Sequence, residues 1–288
     1  MIKLGDWILG FDGAVDAGLT GCSYGGIEIL RTVKSDPSLR DARDLSAFVM
    51  LPFIGRITKG VFSFKDEEVH LAANMPPEPH AIHGRGWQSV WQRQDTGTDR
   101  VAFQHHHAGE SGWPWAYRAR QAFRAQGESL TWSASLTNEG ARDMPAGLGW
   151  HPYFPRQDAQ LQADISHIWR AQSDHHVAGL PVTPSAQRDI RQPRPVRDLK
   201  LDHCFSLTGE RKIRLRWPKR HLSVTLQASD IFRFLTVYTP PDEDYFCVEP
   251  VSHTPDAVNN TLPYAQTGLK VLRPGETLQG SIMLTVDL

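Results

Sequence analysis

The sequence predicts an all-β, mostly antiparallel protein, and three observations carry that prediction. Leu130, Trp132, Ala134 and Leu136 alternate with Thr131, Ser133, Ser135 and Thr137, the two-residue period of a strand with one buried face. The 23 glycines and 20 prolines are dispersed through the 288 residues and punctuate short apolar runs. Almost no stretch keeps a helical period for long, so helices should be few.

The elements follow in chain order. The apolar run from Ala47 to Ile54 is strand-length and far short of the ~20 residues that cross a bilayer. It continues into Pro52-Phe53-Ile54-Gly55-Arg56-Ile57, which sets one arginine inside an apolar stretch. A buried guanidinium needs a partner, either a protein carboxylate or the hydroxyls or anionic group of a ligand. Gly60 to Phe64 turns at Lys65-Asp66 toward Val69-His70-Leu71, a short hairpin. His80-Ala81-Ile82-His83-Gly84-Arg85-Gly86-Trp87 gathers imidazole, guanidinium and indole around two glycines, and reads as a loop lining a pocket or as a solvated turn.

His105-His106-His107 offers two imidazoles to one strand face, but no further ligand stands nearby in sequence, so an exposed strand is expected rather than a metal site. The His175-His176 pair is a weaker signal still. Residues 117–137 form a hairpin: Tyr117, Ala119, Gln121 and Phe123 lead to a turn at Gln126-Gly127-Glu128 and return through the alternating run. In Gly147-Leu148-Gly149-Trp150-His151-Pro152-Tyr153-Phe154-Pro155, the proline pushes His151 toward extended backbone and presents its ring at a fixed angle. That ring is either a proton carrier or a packed structural histidine. Pro181 to Asp198 carries four prolines and little alternation, a surface excursion or edge strand. Leu222 to Gln227 and Gly280 to Val286 alternate as strands. In Tyr245-Phe246-Cys247-Val248-Glu249-Pro250-Val251-Ser252-His253, Glu249 follows an apolar strand, where burial would strengthen it as a base or an ion pair with Arg56 or Arg118 would hold it.

Composition narrows the function. With 31 Lys+Arg against 32 Asp+Glu the net charge is −1, so no global field gathers phosphate backbones or anionic lipid, and neither nucleic acid nor membrane is expected as a partner. Hydrophobic residues at 40% and charged residues at 22% exclude disorder. The amino end places Asp6 where a signal peptide would be apolar, and it reads as cytoplasmic. Cys22, Cys204 and Cys247 lack metal or disulfide spacing and are expected as buried thiols. No phosphate-binding glycine loop, dinucleotide fingerprint or serine elbow occurs. Composition shifts nowhere, which implies one domain over 1–288.

Five segments in order, Pro52 to Ile57, His83-Gly84, Gly149 to Phe154, Leu201-Asp202-His203-Cys204-Phe205 and Val248-Glu249-Pro250, resemble the aldose 1-epimerase (galactose mutarotase) family over nearly the whole chain. The resemblance implies a large antiparallel β-sandwich, the galactose mutarotase-like supersandwich, with a sugar on its concave face and with no metal or cofactor. It implies His151 as acid, Glu249 as base, and Arg56, His83 and Asp202 as sugar contacts. Trp87, Trp150 or Tyr153 would stack on the sugar's C–H face. A homodimer is compatible with this reading. Activity should then be bell-shaped in pH, with an acid limb from Glu249 and an alkaline limb from His151.

Two departures fall on substrate contacts. Gly55 stands where relatives commonly have asparagine, and a glutamine found before the base in some relatives is replaced around Tyr238 to Pro241. With Arg56 and Arg85 flanking the first, the substrate is either a neutral hexose or an anionic one such as sulfoquinovose or a hexose 6-phosphate. A glycosidase using Glu249 with Asp202, and a non-catalytic sugar binder of the same fold, are the rival readings.

Overall fold

The computed structural model describes residues 1–11, 18–33, 45–110, 112–170 and 180–288, with the side chain of Asp95 left aside. Among them, ten strands form one sheet. Its order is Ile2–Leu4, Trp7–Phe11, Gly18–Tyr24, Ala47–Met50, Gly149–Pro155, Tyr245–Val251, Phe234–Tyr238, Asp202–Leu207 and Ile165–Trp169, and Ile27–Leu30 also pairs with Gly18–Tyr24. Nine strands form the second sheet, in the order Gln92–Thr96, Arg100–Ala108, Ala116–Gln126, Ser129–Asn138, Thr277–Asp287, Leu222–Ala228, Lys212–Trp217, Gln160–Ala163 and Arg194–Pro195. Neighbours along both sheets pair antiparallel. The fold is the all-β sandwich that the sequence predicts.

The hairpin at its centre obeys the two-residue period. Ala116–Gln126 pairs with Ser129–Asn138 through a turn in which Gly127 takes φ 55°. Leu130, Trp132, Ala134 and Leu136 point into the core, as do Tyr117, Ala119 and Phe123. Gln121 breaks the apolar pattern yet points inward too, because its Oε1 accepts a hydrogen bond from Trp132 Nε1 at 3.3 Å. Val61–Phe64 and Glu67–His70 form the predicted short hairpin. From the proline-rich stretch, Arg194–Pro195 is the edge strand of the second sheet. Among the described residues the α-helix is confined to Tyr264–Thr267, and no helix is long and apolar enough to cross a membrane. Cys22, Cys204 and Cys247 are buried free thiols.

The two sheets meet through a continuous apolar core. At its middle the indoles of Trp132, from the second sheet, and Trp150, from the first, lie stacked with centroids 5.6 Å apart and planes at 14°. Both are almost completely buried. Trp132→Ala should therefore lower unfolding stability by about 3–5 kcal/mol in urea denaturation, the usual cost of emptying a buried indole site. A loss under about 1 kcal/mol would mean that the sheets do not rely on this contact.

Candidate active site

Gly149–Pro155 and Tyr245–Val251 lie side by side in the first sheet and are buried almost end to end. Burial on both faces hides their alternation from a hydropathy reading, but alternation still decides where each side chain goes. Trp150, Phe154, Phe246 and Val248 enter the core between the sheets. Tyr153, Cys247 and Val251 join a second apolar cluster with Phe48, Met50 and Phe234. His151 and Glu249 share the parity of that second set and fall on its face. The registers Gly149↔Val251 and Tyr153↔Cys247 bracket them without a shift, so His151 stands directly opposite Glu249. The same interval holds Pro152 and Pro250, neither of which has an N–H to give a ladder. Prolines belong at sheet edges. Here two interrupt adjacent central strands at the one place where the strands carry titratable groups.

His151 Nε2 lies 3.3 Å from Glu249 Oε1, with side chains 9% and 3% exposed. Burial pushes the Glu249 carboxyl well above the usual carboxylate range, the charge of Asp202 adds to that, and Arg56 opposes it. Burial, helped by the charge of Arg31, brings the His151 imidazole down to about 3. Both shifts favour the uncharged forms, a neutral carboxyl beside a neutral ring, over the ion pair. These directions run opposite to the ordinary values on which the expected limbs of the pH profile rest.

Both residues line a cleft of about 950 Å³, together with Arg56, His83, Tyr153 and Asp202. Asp202 opens a strand two places from that of Glu249 and stands opposite Tyr238. His83 N donates to Gly55 O at 2.9 Å, and Gly55 N donates back to His83 Nδ1 at 3.3 Å. Nδ1 is therefore an acceptor, and the proton of the neutral ring sits on Nε2. Gly84 has φ 69°, and a Cβ there would meet Leu51 O at 2.0 Å, so the His83-Gly84 motif needs glycine for the chain to cross Leu51. Gly55 has φ 65°, in the left-handed region where asparagine is the residue that best replaces glycine. A Cβ at Gly55 would come within 2.9 Å of Pro255. The loop is fixed from below by His253, whose Nδ1 donates to Thr254 O at 2.7 Å while Nε2 accepts from Ile54 N at 3.3 Å.

Two expected contacts lie elsewhere. Past Gly84 the chain turns through Gly86–Gln88, which takes Arg85 and Trp87 out of the lining of the cleft. Arg85 reaches Gln88 Oε1 at 3.3 Å, and Trp87 is buried behind Phe48 with its Nε1 donating to Ile82 O. Trp150 faces the inter-sheet core, so of the three aromatic candidates Tyr153 lines the cleft. Arg56 has a protein partner: its guanidinium meets the Glu78 carboxylate at 2.9 and 3.4 Å. Arg118, offered as an alternative partner for Glu249, pairs with Glu139 instead. His105 and His107 pack around Tyr117 rather than facing the cleft, and His175-His176 lies outside the described residues. Among the described residues one group has metal-ligand character and spacing, His151 with Cys247 and Glu249.

Sequence reasoning missed Glu78 and Arg31. The Arg31 guanidinium lies 3.9 Å over the ring of Tyr153 and 4.2 Å over that of Tyr245, and donates to Leu45 O. Phe48, which stacks on His151 at 4.5 Å, and Tyr238 were also passed over. Strand neighbours of His151 and Glu249 were the only available signal, and pairing partners cannot be read from one sequence.

A family profile described as aldose 1-epimerase matches residues 18–285. The uncharacterized protein YphB of Escherichia coli (strain K12) is 29% identical over 254 residues, 85% of each chain. Among solved structures, a candidate aldose 1-epimerase from Escherichia coli K12 superposes with a TM-score of 0.87 at 27% identity, covering 99% of this chain and 97% of that one. A galactose mutarotase-like protein from Clostridium acetobutylicum gives 0.85 at 18% identity, covering 99% and 93%.

The buried neutral rings make acid stability a test of this geometry. His151 at about 3 and His253 at about 4 are both depressed by burial below the ordinary value of about 6.5. A depressed folded pKa gives stability that is complete above the unfolded value and lost as pH falls through the folded one. Urea midpoints should decline from about pH 6.5 downward, by up to about 1.4 kcal/mol per pH unit for each ring, offset in part by Glu249, whose raised pKa adds stability as pH falls toward its unfolded value. His253→Gln should reduce that slope by about one proton's worth. A stability flat from neutral pH to about pH 4.5 would show the rings to be open to protonation in the fold.

Proposed function

The chain belongs to the aldose 1-epimerase family, and from that premise we propose that it interconverts the α and β anomers of an aldohexose by acid–base ring opening and reclosure. One observation carries the reading: His151 Nε2 and Glu249 Oε1 stand side by side, 3.3 Å apart, in a cleft large enough for a sugar. The anomeric hydroxyl and the ring oxygen are bonded to the same carbon and lie closer together than that. Two neighbouring groups can therefore face both oxygens at once.

In the productive form Glu249 takes the proton from the anomeric hydroxyl while His151 gives one to the ring oxygen. The C1–O5 bond breaks as the C1 carbonyl forms. Rotation about C1–C2 presents the other face, and the same proton transfers in reverse close the ring. The pair carries one proton throughout, so the resting and productive forms differ only in which partner holds it. Transfer across the contact between them interconverts the two without exchange with solvent.

Arg56, with its charge balanced by Glu78, would donate to ring hydroxyls, as would His83 through Nε2. Asp202 would accept from two hydroxyls, and Tyr153 supplies an aromatic wall. A neutral hexose is favoured over an anionic one, because Arg56 is ion-paired with Glu78, Arg85 lies off the cleft, and of the other cations on the lining Arg156 donates to Pro240 O and Arg197 pairs with Asp198, with Lys200 the remaining one. A glycosidase is disfavoured, because the near partner of Glu249 is a histidine rather than a second carboxylate.

Polarimetry of freshly dissolved α-glucose and α-galactose is the test. Glu249→Gln and His151→Ala should each lower kcat by about 10²- to 10⁴-fold. Glu249→Gln should also match or exceed wild-type stability at alkaline pH, because a raised folded pKa means stability that is lost as pH rises through it. A Glu249→Gln protein with more than about a tenth of wild-type kcat removes Glu249 from the base role. The pH profile should fall on the alkaline side and stay level toward acid pH for as long as the protein remains folded. A kcat/KM for glucose 6-phosphate above that for every neutral hexose would overturn the neutral-sugar assignment.

A further inference from the structure

Cys247 takes no part in the ring-opening chemistry, yet it is fixed beside it. It is two residues before Glu249 on the same strand face, and it stands opposite Tyr153, two residues after His151. The sheet thus plants three donors at the corners of a right triangle: imidazole across from carboxylate, and thiol one step along from carboxylate. Their ligating atoms all lie within 4.8 Å of one another, and all three residues are buried.

We propose that His151, Cys247 and Glu249 form a binding site for a thiophilic divalent cation, with Zn²⁺ as the type ligand, and that the bound ion inhibits the protein. Zn–N and Zn–O bonds of about 2.0–2.2 Å at tetrahedral angles span an N–O edge of roughly 3.4 Å. The observed separation of His151 Nε2 and Glu249 Oε1 is 3.3 Å. The edge is preformed, and the thiol needs to close by on the order of 1 Å to complete the face. A mixed sulfur, nitrogen and oxygen set selects Zn²⁺ or Cd²⁺ over Mg²⁺ and Ca²⁺. Three protein donors leave a fourth position for water or a sugar hydroxyl. His151 and Glu249 line the cleft, which gives the ion its way in, and Cys247 is the buried third donor.

The second shell sets the affinity. His151 Nδ1 is buried and finds no hydrogen-bond partner outside its own residue, so no second-shell acceptor orients the ring in the way a resident metal site requires. The missing orienting bond makes the ion a reversible inhibitor rather than a resident cofactor. The binding itself stands apart from the mutarotase reading, and only the inhibition rests on it.

The probe is Cd²⁺, whose bond to a thiolate gives an ultraviolet charge-transfer band, with Zn²⁺ calorimetry alongside on the full chain. Wild-type protein should develop the band and bind Zn²⁺, and mutarotation should fall in parallel with occupancy. Cys247→Ser and Cys247→Ala, checked for folding by thermal melting, should lose the band, bind Zn²⁺ at least about 10- to 100-fold more weakly, and keep the metal-free mutarotation rate. Cys204→Ser should retain the band. A band absent from wild type, or one that survives in Cys247→Ser and vanishes in Cys204→Ser, overturns the site. A band without loss of measured mutarotation overturns the inhibition. A band in a protein with no mutarotase activity leaves the site standing and defeats the function reading instead.

Discussion

A histidine and a glutamate set side by side, on two strands buried almost end to end, set the terms for everything around them. Burial makes the charged form of each expensive, raising the carboxyl and lowering the imidazole. The surrounding structure serves that constraint. Phe48 and Tyr153 hold the imidazole by ring contact, and Arg31, which lies over Tyr153, is a positive charge that lowers the imidazole pKa further. Aromatic burial and proton economy are here one arrangement.

The binding side of the cleft is built by a different device, backbone hydrogen bonds to neutral imidazoles. His83 and His253 each accept from a loop amide, of Gly55 and Ile54 respectively, on either flank of the turn that presents Arg56. These rings act as struts whose acceptor nitrogens exist only while they are uncharged. The Arg56–Glu78 ion pair then aims the guanidinium. The two central strands and the loop that carries Arg56 thus share a dependence on keeping imidazoles uncharged.

The fold was legible where one face of a strand meets solvent. The run from Leu130 to Leu136 announced its period, and Gly127 announced its turn. Gly149–Pro155 and Tyr245–Val251 gave no period, because both faces are buried, and they were found through their motifs instead. His151, Glu249, Arg56, His83, Asp202 and Tyr153 are brought to one cleft. Arg85 and Trp87 were carried in by proximity to His83 in the chain, and proximity failed because a positive-φ glycine reverses the path between them. Glu78 and Arg31 were invisible because their partners are defined by loop closure and strand order, which are properties of the assembled sheet. The limb assignment rested on ordinary pKa values, which describe groups in water, and burial shifts both groups away from them.

Gly55 and Pro255 face each other across a gap too small for a Cβ. The backbone at 55 would accept asparagine by its torsions, but the ring at 255 would have to give way first. The two positions are therefore epistatic. With proline at 255, a side chain at 55 is strained unless 255 changes as well, so the shape of this edge of the cleft is set by the two residues together.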